Sequence, residues 1–155
     1  MDLLDSDIFV LDLRFPNDPR YSTNKLFLEA REVQRATTIY NLLEVCGILS
    51  FNLSQEALLT LYSDFSRHYA LSILFPPLQD FKSLSALISG TFEKIAQKMT
   101  YGDAQILWTT EQHPRIDRLI SWNAKDFIGR TPLRVITPQE WAEQRQIPKD
   151  EWRAP

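Results

Sequence analysis

Apolar runs alternate with turn-forming residues along the chain, in a rhythm that predicts short strands separated by helices. Ile8-Phe9-Val10-Leu11 is a continuous apolar run that predicts a strand over residues 7–13, covered on both faces and ended by the turn at 14–19. Residues 22–50 lack proline and predict two helices meeting around 31–34, the second of them apolar. Ser54 predicts an N-cap for a helix reaching about residue 68, with Leu58, Leu61, Phe65 and Tyr69 at helical spacing. A strand follows over 71–75, stopped by Pro76-Pro77. A helix is predicted over 83–99, and Thr100 caps another from 101 to about 112, closed by His113-Pro114. Two further strands are predicted over 118–122 and 133–136, and Thr137-Pro138-Gln139-Glu140 opens a last short helix.

Strands joined through helical crossovers predict a mainly parallel central sheet in a three-layer α/β/α sandwich, with ligands gathering at the carboxyl ends of the strands. A length of 155 residues fits one domain, expected over 1–147, with 148–155 as a C-terminal tail expected to be disordered. Hydrophobic residues at 44% and charged residues at 24% exclude a chain too polar to bury a core. The net charge of -3 excludes a uniformly basic nucleic-acid grip, though not a local basic rim. A single cysteine, Cys46, excludes an internal disulfide, and with only His68 and His113 beside it a Cys/His zinc quartet cannot be assembled. The four glycines lie too far apart for a phosphate-cradling loop. The acidic start lacks an export signal and no apolar run is long enough to cross a bilayer, so a cytoplasmic protein that makes no membrane contact is expected.

Candidate chemistry rests on acids in apolar company. Glu44 stands in Ile39-Tyr40-Asn41-Leu42-Leu43-Glu44-Val45-Cys46-Gly47-Ile48-Leu49, a helix apolar on nearly every face. A carboxylate there must be solvated in a cleft, protonated, paired with a cation or bound to a metal. Asp12 is expected one residue before the end of the first strand, where it either binds a ligand or forms an Asx-type turn. Asp103 follows Thr100 at the capping interval, and Asn123 and Asp126 follow the strand over 118–122, where they also suit turns. Convergent carboxylates repel unless a hard divalent cation neutralises them, and Mg²⁺ or Mn²⁺ prefers oxygen ligands.

The order of these residues carries a resemblance. Tyr101-Gly102-Asp103-Ala104 opening a helix, Ser121-Trp122-Asn123-Ala124-Lys125-Asp126-Phe127, and Thr137-Pro138-Gln139-Glu140 together resemble a PIN domain of the VapC-like toxin ribonuclease type, with Val10-Leu11-Asp12 and Tyr40-Asn41-Leu42-Leu43-Glu44 similar to the segments bearing its first two acids. The resemblance spans nearly the whole chain. It implies a metal-dependent endoribonuclease that hydrolyses RNA phosphodiester bonds, as the toxin of a VapBC-type toxin–antitoxin pair. Asp12, Glu44 and Asp103 would hold Mg²⁺ or Mn²⁺, Asn123 would stand in the fourth acid's place, and Asp126 would complete the catalytic set. Arg14, Arg20, Lys25 and Lys125 are candidates for a phosphate-facing rim, or ordinary surface charge. RNA, an antitoxin protein and a second copy of the chain are the partners to test.

One departure shapes the rival reading. The family's first acid is usually followed by Thr or Ser and then Asn, whereas Leu13-Arg14 follows Asp12. A catalytically weakened PIN-like module that binds nucleic acid or protein is therefore the alternative. A covalent aspartyl nucleophile at Asp12 ranks last, because no second acid stands two residues after it.

Overall fold

The structure, a computed structural model, describes residues 1–30 and 33–148. Its centre is a five-stranded sheet in the order β3-β2-β1-β4-β5, parallel throughout. The strands are β1 (Asp2–Leu4), β2 (Arg35–Thr38), β3 (Ser72–Leu74), β4 (Arg118–Ile120) and β5 (Arg134–Ile136). The helices are α1 (Ser6–Arg14), α2 (Tyr21–Glu29), α3 (Ile39–Leu49), α4 (Gln55–Tyr69), α5 (Phe81–Ala96), α6 (Tyr101–Glu111) and α7 (Pro138–Gln144). This is the expected α/β class with a central parallel sheet. The tail expected over 148–155 lies, from residue 149 onward, outside the described residues.

Neighbouring residues of β1 face opposite layers, as strand geometry requires. Leu4 joins Ile120 and Ile136 beneath Phe9, Phe27, Leu42, Phe65 and Trp141, which come from α1, α2, α3, α4 and α7. Leu3 joins Ala36 and Leu119 against Ala104 and Leu107 of α6, and α5 packs on α6 from outside. Among the described residues no helix is long and apolar enough to cross a membrane.

Two sequence expectations are corrected. Residues 7–13 form helix α1 and not a strand: Asp5 caps it, and Ile8, Phe9 and Leu11 turn into the core while Leu13 and Arg14 stay exposed. A short apolar run fits either a buried strand or a buried helix, and here the strand is the preceding Asp2-Leu3-Leu4. Instead of helix meeting helix after residue 34, β2 fills the second place in the sheet; residues 31 and 32 lie outside the described residues. Its sequence Arg-Ala-Thr-Thr carries no hydrophobic pattern, yet all four residues are buried. Polar groups can be buried there because they are satisfied: the Thr37 hydroxyl donates to the Leu4 carbonyl at 2.8 Å, and the Arg35 guanidinium donates to the Leu28 carbonyl at 2.8 Å and to those of Phe27 and Ala30.

Candidate active site

All five strands run the same way, so their carboxyl ends share one edge of the sheet. At that edge the chain leaves β1 through Asp5, which is 5% exposed. Its backbone N–H donates to the Ile120 carbonyl at 3.0 Å, tying it to the end of β4. Its side chain accepts from the Ser6 N–H at 2.8 Å, as the N-cap of α1. Asp7 follows in the first turn of α1, where a negative charge suits the helix dipole.

Ser121, immediately after β4, joins these two acids. Its hydroxyl lies 2.8 Å from Asp5 Oδ2 and 2.9 Å from Asp7 Oδ2. The Asn123 backbone N–H donates both to Asp7 Oδ2 at 3.0 Å and to Ser121 Oγ at 2.9 Å. A hydroxyl has one proton, so it donates to one carboxylate at a time and leaves the other short of a donor. Asp7 Oδ1 is buried without a hydrogen-bond partner, as is the side-chain oxygen of Asn41, whose amide donates to the Leu4 carbonyl at 3.1 Å.

Burial pushes the Asp7 carboxyl up to about 6, against the hydrogen bonds from Ser121, Asn123 and Trp122 and the nearby Arg20 charge. Burial pushes Asp5 well above the usual carboxylate range, and the charges of Asp7 and then Glu44 push the same way, against hydrogen bonds from Ser121 and Ser6. Two acids therefore share a desolvated edge with a single hydroxyl between them, and the electrostatic field of Glu44 reaches Asp5.

The remaining expected residues divide by position. Glu44 is exposed on α3, which buries only Asn41, Leu42, Val45 and Leu49; the expectation of a carboxylate enclosed on every side is corrected. Asp103 is half-buried at the start of α6 and accepts from the Thr100 hydroxyl at 2.7 Å, completing the cap. Because α6 leads directly into β4 and returns along the sheet, its first turn lies at the same carboxyl edge as Asp5. Asn123 is exposed, and Asp126 is half-buried in the 3₁₀ turn Ala124–Asp126, with exposed Lys125 between them in sequence.

Asp12 lies elsewhere. It is two turns down α1 from Asp5, about 10 Å along the helix axis. Its side chain is 6% exposed and accepts from Tyr69 Oη at 3.0 Å and Lys25 Nζ at 3.4 Å. The Asp12 charge adds to burial in pushing the Tyr69 phenol up. Asp12, Lys25, Glu29, His68 and Tyr69 line a separate cavity of about 220 Å³. Arg14 donates to the Asn52 side chain at the far end of α1. Of the four expected basic residues, Arg20 is the one whose charge acts on Asp7.

Comparison with solved structures places this architecture. VapC20 from Mycobacterium tuberculosis, a sarcin-ricin loop cleaving toxin, superposes with a TM-score of 0.56 at 13% identity over 77% of this chain and 87% of that one. FitAB bound to a DNA fragment gives 0.59 at 15% identity, over 89% and 95%. A toxin–antitoxin complex from Klebsiella pneumoniae gives 0.60 at 24% identity, over 89% and 98%. The fold is PIN-like. No family model matches the sequence, and no curated protein sequence is similar to it.

Leu4-Asp5-Ser6-Asp7 places an acid at the end of β1, then a small hydroxyl residue, then a polar one, which is the pattern missing after Asp12. Sequence reading passed over Asp5 and Asp7 as part of an acidic terminus. The signal was present: two leucines, then an Asp at the capping position ahead of the apolar stripe Ile8, Phe9, Leu11.

Proposed function

We propose that this chain is a metal-dependent endoribonuclease of the PIN type, working as the toxin of a toxin–antitoxin pair, with Asp5 and Asp7 at the centre of its site. The observation that carries the reading is the buried pair Asp5 and Asp7, bridged by Ser121 at the carboxyl edge of a PIN-like sheet, with Asp7 Oδ1 left without a partner. Glu44, whose charge reaches Asp5, and Asp103, on the same edge, are the outer acids; Asn123 is the neutral member.

Among the described residues no group of three or more His, Cys, Asp or Glu side chains is arranged to hold an ion. The two central carboxylates are hard oxygen donors with an unsatisfied atom, and Mg²⁺ is commonly held by one or two carboxylates while it keeps several waters. The set fits such an ion and not an all-protein cage. When bound, the ion supplies charge neutralisation at a phosphodiester and activation of water.

The protein's own groups do the rest. Ser121 and the Asn123 N–H fix the orientation of Asp7, and the Ser6 N–H fixes that of Asp5. Asp7, with its carboxyl near 6, can hold or release a proton close to neutral pH. Arg20 stands within electrostatic reach of Asp7 and suits a phosphate. An antitoxin is the expected protein partner, on the analogy of the Klebsiella complex.

The test is cleavage of single-stranded RNA in Mg²⁺ or Mn²⁺. Asp5→Asn, Asp7→Asn, Glu44→Gln and Asp103→Asn are each expected to lower the rate by about 10²-fold or more, whereas Asp12→Asn keeps it. Activity lost with Asp12→Asn and kept with Asp5→Asn would reverse the assignment. If the parent chain binds RNA without cleaving it, the non-catalytic reading takes its place.

A further inference from the structure

The segment that holds the acid pair also carries an aromatic side chain that this role does not use. Trp122 lies between Ser121, whose hydroxyl bridges the acids, and Asn123, whose N–H reaches Asp7. Its indole N–H donates to Asn24 Oδ1 at 2.9 Å. Asn24 is fully buried in α2, and its own amide donates to the Ile8 carbonyl at 2.9 Å. The ring is therefore anchored through α2 to α1, the helix that begins with Asp5 and Asp7.

Over this ring lies Arg20, with its guanidinium carbon 5.6 Å from the ring centroid. Asp18 grips one edge of the guanidinium as a fork, Nε to Oδ1 at 2.9 Å and Nη2 to Oδ2 at 2.8 Å. That grip occupies two of the five guanidinium N–H groups and leaves three for a ligand. It also offsets part of the cation's charge, so that the oriented donors and the flat π surface set what the pair recognises, while the Arg20 charge still reaches Asp7. The Arg20 side chain is half exposed and Trp122 is partly so. A cation held over an indole, each anchored by its own hydrogen bonds and one residue away from the groups that hold a desolvated acid pair, is more than surface charge requires.

Resting on the nuclease reading above, we infer that the Arg20–Trp122 stack is a nucleotide-reading platform, which takes an unstacked base of single-stranded RNA on its flat face and the adjoining phosphate on the open guanidinium edge. Single-stranded RNA is recognised through splayed bases stacked on aromatic rings or guanidinium planes, and the preference follows the base face rather than net charge. Duplex RNA keeps its bases stacked and offers the platform only a phosphate. Arginine's planar fork matters here, because a lysine keeps the charge but loses both the plane and the paired donors.

The experiment measures binding of a single-stranded RNA oligonucleotide and of the same sequence as a duplex to the full chain carrying Asp5→Asn, in which turnover is slow on the time scale of the measurement. Cleavage by the otherwise unaltered chain gives KM and kcat. Arg20→Ala and Arg20→Lys are each expected to weaken single-strand binding about tenfold, with little change for the duplex, and to raise KM more than they lower kcat. Trp122→Ala should act in the same direction, with Trp122→Phe recovering most of the affinity. Arg20 is on the surface, so its variants decide the matter even if Trp122→Ala fails to fold. Cleavage by the parent with unchanged KM and single-strand affinity in both Arg20 variants overturns the platform and leaves the nuclease reading standing. No cleavage and no RNA binding by the parent in Mg²⁺ or Mn²⁺ overturns both. Retained RNA binding with loss of an antitoxin would make the stack a protein contact and also overturn the inference.

Discussion

Asp7 combines a near-neutral carboxyl with an unsatisfied oxygen, and both features have a stability consequence. Its folded-state carboxyl titrates near 6, above the ordinary 3.8, chiefly because burial disfavours the charge. Between these values the native state keeps a proton that the unfolded chain has released, so stability falls as pH rises through that window, and the loss is complete above about 6. A shift of that size corresponds to no more than about 3 kcal/mol. Asp7→Asn keeps an acceptor for the Asn123 N–H and removes the charge. In chelator it is expected to gain about 1–3 kcal/mol at pH near 7.5, with the gain shrinking to nothing by pH near 4. Urea unfolding at several pH values checks this; a gain equal at all pH values would put the cause in hydrogen bonding instead of ionisation. A residue that costs stability where it works is the usual sign of a functional site. At this scale the sequence offered Glu44, Asp103 and Asn123 as candidates through their flanking motifs, and the proposed site keeps them. It missed Asp5 and Asp7 because the run 8–11 claimed the strand five residues too late and carried the first acid to Asp12.

Elements were legible where their signals are local. Thr137-Pro138-Gln139-Glu140 opens α7 as expected, with Thr137 and Glu140 forming a capping box, and Ser54 and Thr100 cap α4 and α6 as their side chains suggest. β2 was illegible because Arg-Ala-Thr-Thr carries no hydrophobic alternation, and the buried Thr37 hydroxyl is satisfied by the Leu4 carbonyl, 33 residues away in sequence. The packing of α5 on α6 shows the same limit. A Cβ at Gly90 would meet Trp108 Nε1 at 2.0 Å and Cδ1 at 2.1 Å, so the glycine in mid-helix is there to admit the indole. Intrinsic helix propensity favours alanine at such a position by about 1 kcal/mol, and the clash must exceed that gain to reverse the sign. Gly90→Ala is expected to destabilise by about 1–3 kcal/mol, because the indole has to leave its seat. Adding Trp108→Leu should remove most of that penalty, so the cycle of single and double variants, followed by thermal unfolding, reads the contact directly. Independent effects of the two substitutions would show that another contact sets the glycine.

Across the whole molecule the two edges of the parallel sheet have different work. The carboxyl edge gathers Asp5, Asp7, Ser121 and the start of α6, and keeps charges there at a cost. The opposite edge is closed by Asp2, 2% exposed, which accepts two hydrogen bonds from Arg118, from Nε and Nη2, each at 2.8 Å. Asp2 and Arg118 are register partners of β1 and β4, the same two strands whose other ends meet at Asp5 and Ser121. The pair therefore fixes the alignment on which the site depends, without taking part in it. Arg118→Met would leave a buried carboxylate with its fork removed, and breaking such a pair from one side costs about 3–5 kcal/mol. Partial exposure of Arg118 places the expected loss at the lower end of that range. Asp2→Asn combined with Arg118→Met should recover much of it, since the stranded charge is then gone. At low temperature, where the variant is folded, RNA cleavage per folded molecule is expected to match the parent, opposite to the pattern for Asp7→Asn, which gains stability and loses cleavage. Should Arg118→Met lose cleavage while still fully folded, the register at the far edge would be coupled to the geometry of the acids, and the separation of the two edges would fail.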